Sequence, residues 1–245
     1  MNEQTVCLGI DIASGRQPYT FAALNARREM LASGQGTLDD VLAYCAGLNS
    51  AAAAVNAPDL AAARSASAPE VELARRGLRL PRLAPGKSVP ARLQKGAALY
   101  ERLAGLGYAP FTTPEVGKSW LEVNCEAVYW AWISQPALDS RTFEGRLQRT
   151  AVLYEHDLPV SDPMDFFEEI TRHRMIHGKI PLERIPSGRM LNALAAAATA
   201  WCALYQPADF SWVGSPEGRR LAFPISALPN PPAPQAQPLP LFDSL

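Results

Sequence analysis

The sequence predicts an α/β domain: a mixed sheet flanked by helices, with an irregular and helical segment inserted. Three observations carry this. Val6 to Ala13 (VCLGIDIA) is a short, nearly continuous apolar run, the pattern of a strand buried on both faces. Two further strand-like runs follow it across a short polar link. Segments of helical periodicity with recognisable caps then alternate with, and finally succeed, the strand candidates, which is how α/β chains read.

After Gly15 breaks the first run, Tyr19 to Asn25 (YTFAALN) reads as a second strand and Arg28 to Ser33 as a third. The short Asn-Ala-Arg-Arg link between them makes a hairpin. Thr37 is a good N-cap, with Asp39 and Asp40 in the first turn. Leu38, Val41, Leu42 and Cys45 then share one helical face. Ala51 to Val55 (AAAAV) has poor strand propensity, but its place after a helix and before "NAP" predicts a buried parallel strand. Residues 60–110 read as an insertion rich in Ala, Pro, Gly and basic side chains, with a helix over Ala91 to Gly105. Trp120 to Cys125 (WLEVNC) is the next strand candidate. Helices are expected over Arg146 to His156, Pro163 to His177 and Gly188 to Tyr205. The second has Asp162 as cap, Pro163 at its first position and Gly178 as its stop. Arg219 to Ile225 (RRLAFPI) reads as an edge strand, because Pro224 does not fit a central one. One domain over residues 1–228 is therefore expected, followed by a proline-rich, disordered tail over 229–245.

Bulk properties narrow the function classes. The chain has 245 residues, 48% of them hydrophobic and 19% charged, with a net charge of -1. That is enough for a real core, and the whole molecule is not a polyelectrolyte trap for nucleic acid. Cys7, Cys45, Cys125 and Cys202 are scattered among apolar neighbours and form no C-x-x-C pair, so reduced buried thiols are expected. No run approaches the roughly 20 apolar residues of a membrane span. The start lacks a basic region and a long apolar run, so a cytoplasmic protein without membrane contact is expected.

Several residues are placed to carry chemistry. "GIDIASG" sets Asp11 at the end of the first strand, where α/β folds present ligand-binding groups; such an acid holds Mg²⁺, or is an ordinary turn residue. Asn56 in "VNAPDL" ends the fourth strand, in position to face Asp11, with Asp59 three residues on. Glu122 lies within an otherwise apolar strand, either pointing outward by alternation or functional. "MLNALAAAATAW", from Met190 to Trp201, has the composition of a buried helix except for Asn192.

On these stretches the chain resembles the domain-of-unknown-function family 429, a widespread set of predicted nucleases with a ribonuclease H-like fold. The matching pieces are "GIDIASG", "AAAAVNAPDLAAAR", "GLGYAPFTTPEVGKSWLEVNCEAVYWAW", "TFEGRLQRTAVLYE", "DPMDFFEEITRHRMIHGKIP", "MLNALAAAATAW" and "SPEGRRLAFPISAL", in the expected order over residues 5–228. The resemblance implies a ribonuclease H-like sheet. It also implies two-metal phosphodiester hydrolysis, with acids at the ends of the first and fourth strands and on the last helix holding paired Mg²⁺ or Mn²⁺. Carried onto this chain, the first-strand acid is Asp11. The fourth-strand position is Asn56 where Asp is usual, and the last-helix position is Asn192 where Asp is usual. Glu122 keeps the acid of an "E-x-x-P"-like segment, with Cys125 in place of Pro. Asp11 and Glu122 are thus the implied metal ligands. The two amides remove negative charge from the shared site and predict a weakened or degenerate centre.

Two classes of function follow: a metal-dependent nuclease or phosphodiesterase centred on Asp11 and Glu122, or a non-catalytic module that binds nucleic acid or protein on the same scaffold. An actin-like ATPase shares a "GID"-type loop but needs a matching second domain and a glycine-rich adenosine site, and neither is visible in the sequence, so this reading is discounted. Between Arg64 and Arg102 nine basic residues (Arg64, Arg75, Arg76, Arg79, Arg82, Lys87, Arg92, Lys95 and Arg102) stand against three acids, either a track for a phosphate backbone or a solvated surface. Arg146 and Arg149 either face the site or pair with acids on their helix. Glu169, His173 and His177 recur every four residues; a zinc site is one reading, and a helix-dipole arrangement of His177 the better one. In the tail, Gln237, Leu239, Leu241 and Phe242 are similar to the short motif by which bacterial replication and repair proteins dock on the sliding clamp.

Overall fold

The computed structural model describes residues 5–13, 15, 17–59, 69–80, 90–114, 117–179, 185–215 and 218–230. Arg64, Arg82, Lys87 and the tail residues Gln237, Leu239, Leu241 and Phe242 lie outside the described residues. The elements in chain order are β1 (Val6–Asp11), β2 (Tyr19–Leu24), β3 (Met30–Gly36), α1 (Leu38–Ala46), β4 (Ala51–Asn56), α2 (Pro69–Arg75) and α3 (Ala91–Gly105). There follow β5 (Ala109–Pro110), β6 (Lys118–Glu122), α4 (Cys125–Ile133), α5 (Phe143–Glu155), α6 (Pro163–His177) and α7 (Gly188–Tyr205). A 3-10 turn over Pro207–Asp209 leads to β7 (Ser211–Gly214) and β8 (Arg220–Phe223).

The expected mixed α/β sheet is present. Six strands run in the order β3-β2-β1-β4-β6-β5. β2 is antiparallel to β1 and β3, whereas β1–β4, β4–β6 and β5–β6 are parallel. Thr37 caps α1 as expected, in a reciprocal box: its hydroxyl accepts from the Asp40 N–H, and the Asp40 carboxylate accepts from the Thr37 N–H at 2.8 Å. All four cysteines are buried and free.

Several elements depart from expectation. β3 starts at Met30 because Asn25 Oδ1 accepts the N–H groups of Arg27 and Glu29, which keeps Arg28 in the turn at φ 63°. The WLEVNC strand stops at Glu122 because the Asn124 side chain caps α4, accepting from the Ala127 N–H at 3.1 Å. α4 itself (CEAVYWAWI) is apolar almost all round, so it carries no 3.6-residue stripe to reveal it. RRLAFPI supplies β8, but β8 pairs with β7 in a separate two-stranded sheet rather than at the edge of the large one.

Side chains divide between two cores across the sheet. Leu8, Ile10, Ala53 and Val55 pack with α1 and α3; Cys7, Ala52 and Ala54 pack with α4, α5 and α7. α7 is buried at every position from Ala193 to Leu204, and its alanines bring its backbone unusually close to β1. A Cβ on Gly9 would lie 1.9 Å from the Ala193 carbonyl oxygen and 2.3 Å from the Ala197 nitrogen. Both are backbone atoms that no rotamer change can move. The far end of α7 holds the β2–β3 hairpin: Trp201 Nε1 donates to the Ala26 carbonyl at 2.8 Å, and Arg28 lies over the Trp201 ring.

Gly9→Ala is therefore expected to cost about 3 kcal/mol, the upper end for overpacking, because α7 must lift from the sheet. Guanidinium unfolding midpoints measure it; a loss below about 1 kcal/mol would show that the contact is not tight.

Candidate functional site

The site forms where β1 and β4 end side by side. Their register pairs Asp11 with Asn56, so both side chains leave the same face of the sheet. That face is covered by α7, whose first turns bring Asn192 over the strand ends. Asn56 Nδ2 donates to Asp11 Oδ1 at 2.5 Å, and Asn192 Nδ2 donates to the same oxygen at 3.3 Å. The structure thus brings three of the four sequence-predicted residues together.

The direction in which each amide points is fixed from behind. Asn56 Oδ1 accepts from the Cys125 N–H at 3.1 Å, and Asn192 Oδ1 accepts from Arg149 Nη1 at 3.4 Å. A backbone N–H and a guanidinium can only donate, so turning either amide over would set donor against donor. Both NH₂ groups are thereby aimed at Asp11. The aspartate is 4% exposed. Burial raises its carboxyl above the ordinary range, while the Asn56 amide, Arg92, Asn192 and Arg189 pull it back.

Glu122 does not join them. The β4–β6 register pairs it with Val55, the neighbour of Asn56, and consecutive strand residues face opposite sides. Glu122 therefore points away from Asp11. Arg219 grips its carboxylate with Nε at 2.7 and 2.9 Å and with Nη2, and the Asp59 N–H donates to it at 2.9 Å. The second terminal nitrogen of Arg219 meets Glu70 at 2.6 Å. All three charged side chains are buried, so two carboxylates share one guanidinium. Burial pushes the Glu122 carboxyl up to about 7, with Arg219 opposing.

Around Asp11 opens a cleft of about 910 Å³. Four arginines line it from separate places: Arg92 at the start of α3, Arg141 before α5, Arg146 in the first turn of α5 and Arg189 in the first turn of α7. Arg92 also ties the strand ends together, donating to the carbonyls of Ile12 at 2.9 Å and Asn56 at 2.8 Å. Arg189 donates to the Pro18 carbonyl at 3.3 Å, and Arg141 pairs with Asp139. Among the described residues, no carboxylate forms an ion pair with Arg92, Arg146 or Arg189. The buried Nε of Arg146 has no hydrogen-bond partner. Glu126, at the cleft wall, is taken by the buried Arg149 at 2.7 Å.

Among the described residues, the basic side chains of the 64–102 segment do not line one surface. Of its described members, Arg92 enters the cleft and Lys95 donates to the Gln17 carbonyl beside it. Arg76 pairs with Glu72 and Arg102 with Asp39, while Arg75 and Arg79 line a different hollow. The rings of His173 and His177 lie 4.4 Å apart near the C-terminal end of α6, and no group of three metal-binding side chains occurs among the described residues.

The donor set does not fit a pair of Mg²⁺ or Mn²⁺ ions. Mg²⁺ is usually held by one or two carboxylates together with waters and substrate phosphates, so a pair of ions calls for more than a single carboxylate. Here one carboxylate has an oxygen occupied by two amide N–H groups, and guanidinium groups surround it. Arg219, Glu70, Arg141 and Arg189 are the residues that sequence reasoning did not put forward for a site. The available signal was that a buried Glu122 demands a buried base, and "RR" at the head of a late strand was a candidate. No family model matches the chain, and no match is found among curated proteins or solved structures. Among the described residues no helix is long and apolar enough to cross a membrane.

Replacing both amides by acids, Asn56→Asp with Asn192→Asp, gathers three carboxylates at Asp11. The double variant is expected to be less stable than wild type without metal and to bind Mn²⁺ on the order of tenfold tighter. Calorimetry measures this; equal affinities would separate these positions from any shared metal site. Glu122 gives a second prediction. A carboxyl held above its ordinary value keeps its proton better in the folded chain than in the unfolded one. Stability therefore falls as pH rises from the ordinary carboxyl range to about 7, with a slope approaching 1 kcal/mol per pH unit, and levels off above. Urea midpoints from pH 5 to pH 8 are expected to show that fall in wild type and lose it in Glu122→Gln.

Proposed function

We propose that this chain binds the phosphodiester backbone of nucleic acid in the arginine-lined cleft, on a ribonuclease H-like scaffold whose two-metal chemistry has been lost. The observation that carries the reading is the pair of Asn side chains converging on Asp11 Oδ1. They stand at the strand-end and last-helix positions where the family resemblance implies metal-binding acids. Adjacent first and fourth strands with the last helix laid across them support the scaffold assignment.

The same substitutions change what the cleft attracts. A cluster of acids repels phosphate unless metal ions intervene. One carboxylate shielded by amides, facing Arg92, Arg146 and Arg189, leaves the positive charge dominant. Guanidinium groups offer several donors in a fixed plane, which suits phosphate oxygens. Their spread over three helix starts favours an extended polyanion over a single small phosphate. The role left to Asp11 is structural: it orders the two amides at the floor of the cleft.

Fluorescence anisotropy with labelled single-stranded and duplex oligonucleotides tests the reading. Arg146→Ala and Arg189→Ala are each expected to weaken binding about tenfold and to reduce the salt slope by about one. Asp11→Asn is expected to retain or tighten binding. Absence of binding at low salt overturns the proposal. So does Mn²⁺-dependent cleavage that disappears in Asp11→Asn, which would restore the nuclease reading.

A further inference from the structure

α6 bears an apolar stripe that the described residues leave uncovered. Met164, Phe167, Met175 and Ile176 are 68, 42, 81 and 67% exposed. Positions 164, 167, 171 and 175 recur at helical spacing along one face, while Ile170, off that stripe, is buried. Phe167, Thr171, Met175 and Ile176 enclose a shallow groove of about 480 Å³, edged by Glu168 and Arg172. Exposed methionines beside an aromatic ring make an adaptable contact surface.

The charges along the helix say what fits there. Its beginning is acidic, with Asp162, Asp165, Glu168 and Glu169. Its end is basic, with Arg172, Arg174 and Lys179, and carries His173 and His177. Such a helix is complementary to itself turned end for end. Two copies related by a twofold axis near Thr171 set the acidic half of each on the basic half of the other, and Phe167 of each against Met175 of the other. A parallel pairing would set like charges together.

We infer that α6 is a self-association face, through which two copies of this chain pair by antiparallel α6 helices. The helix is about 22 Å long, so this contact alone buries less than the roughly 800 Å² per partner of a standard interface. A contact of that size suits a reversible dimer rather than an obligate one. The inference is independent of what the cleft binds, since the two surfaces share no residue.

Sedimentation of the full chain over a concentration series tests it. The mass is expected to rise from 26.5 kDa towards twice that value. Met175→Glu, at a solvent-facing position, is expected to keep wild-type thermal stability and remain monomeric throughout. Glu168→Arg leaves the stripe edge wholly basic and Arg172→Glu leaves it wholly acidic, so each alone is expected to dimerise at least about tenfold more weakly. Mixed in equal amounts, the two are expected to form a heterodimer. A wild-type monomer at every concentration up to about 200 μM overturns the inference, and covering of the stripe by residues 231–245 of the same chain would give that result. Self-association of both charge variants as strong as wild type, with no gain on mixing, overturns the antiparallel pairing.

Discussion

The close seating of α7 on β1 is the contact on which the rest depends. It requires a residue without a side chain at position 9, because the Ala193 carbonyl and the Ala197 nitrogen occupy the place of a Cβ. It also requires small residues along α7 and β4, which explains a strand of four consecutive alanines that propensity alone disfavours. Tertiary burial outweighs propensity here: Ala51 to Val55 are fully covered on both faces, α7 on one side and α1 with α3 on the other. The helix so placed pins the β2–β3 hairpin at one end and delivers Asn192 to Asp11 at the other.

Sheet parity then sorts the charged groups. Asp11 and Asn56 share a face with α7, whereas Glu122, one register step away, is turned to the opposite face. Two polar clusters result, separated by the sheet. In one, a single carboxylate is held by neutral donors and opens to the solvent cleft. In the other, two carboxylates and one guanidinium are sealed in. Removing Arg219 would leave buried charge without compensation, so the second cluster ties β6 to the β8 end of the chain through a demanding electrostatic contact.

Much of the fold was legible. The caps at Thr37, Asp162 and Gly178 located α1 and α6, and α6 and α7 begin and end where the sequence placed them. α4 was not legible, because a helix apolar on every side has no stripe, and its start reads as the continuation of a strand. The meeting of Asp11, Asn56 and Asn192 was anticipated through the family resemblance. Of the cleft arginines, Arg92 and Arg146 were candidates on separate grounds, but their meeting with Arg141 and Arg189 was not legible, because the four are scattered over about a hundred residues and nothing in their local spacing links them.

The sequence by itself determined which stretches are strands and helices wherever periodicity and caps were clear. It also determined that positions 56 and 192 carry amides, since residue identity needs no coordinates. Only the tertiary structure decided that both amides point their NH₂ groups at one Asp11 oxygen. That direction is imposed by the Cys125 N–H and by Arg149, groups that cannot accept a hydrogen bond. Only the tertiary structure, too, decided that Glu122 belongs to Arg219. A one-residue step along a strand reverses the face, and which residue stands beside which is fixed by strand register, which composition and spacing do not encode.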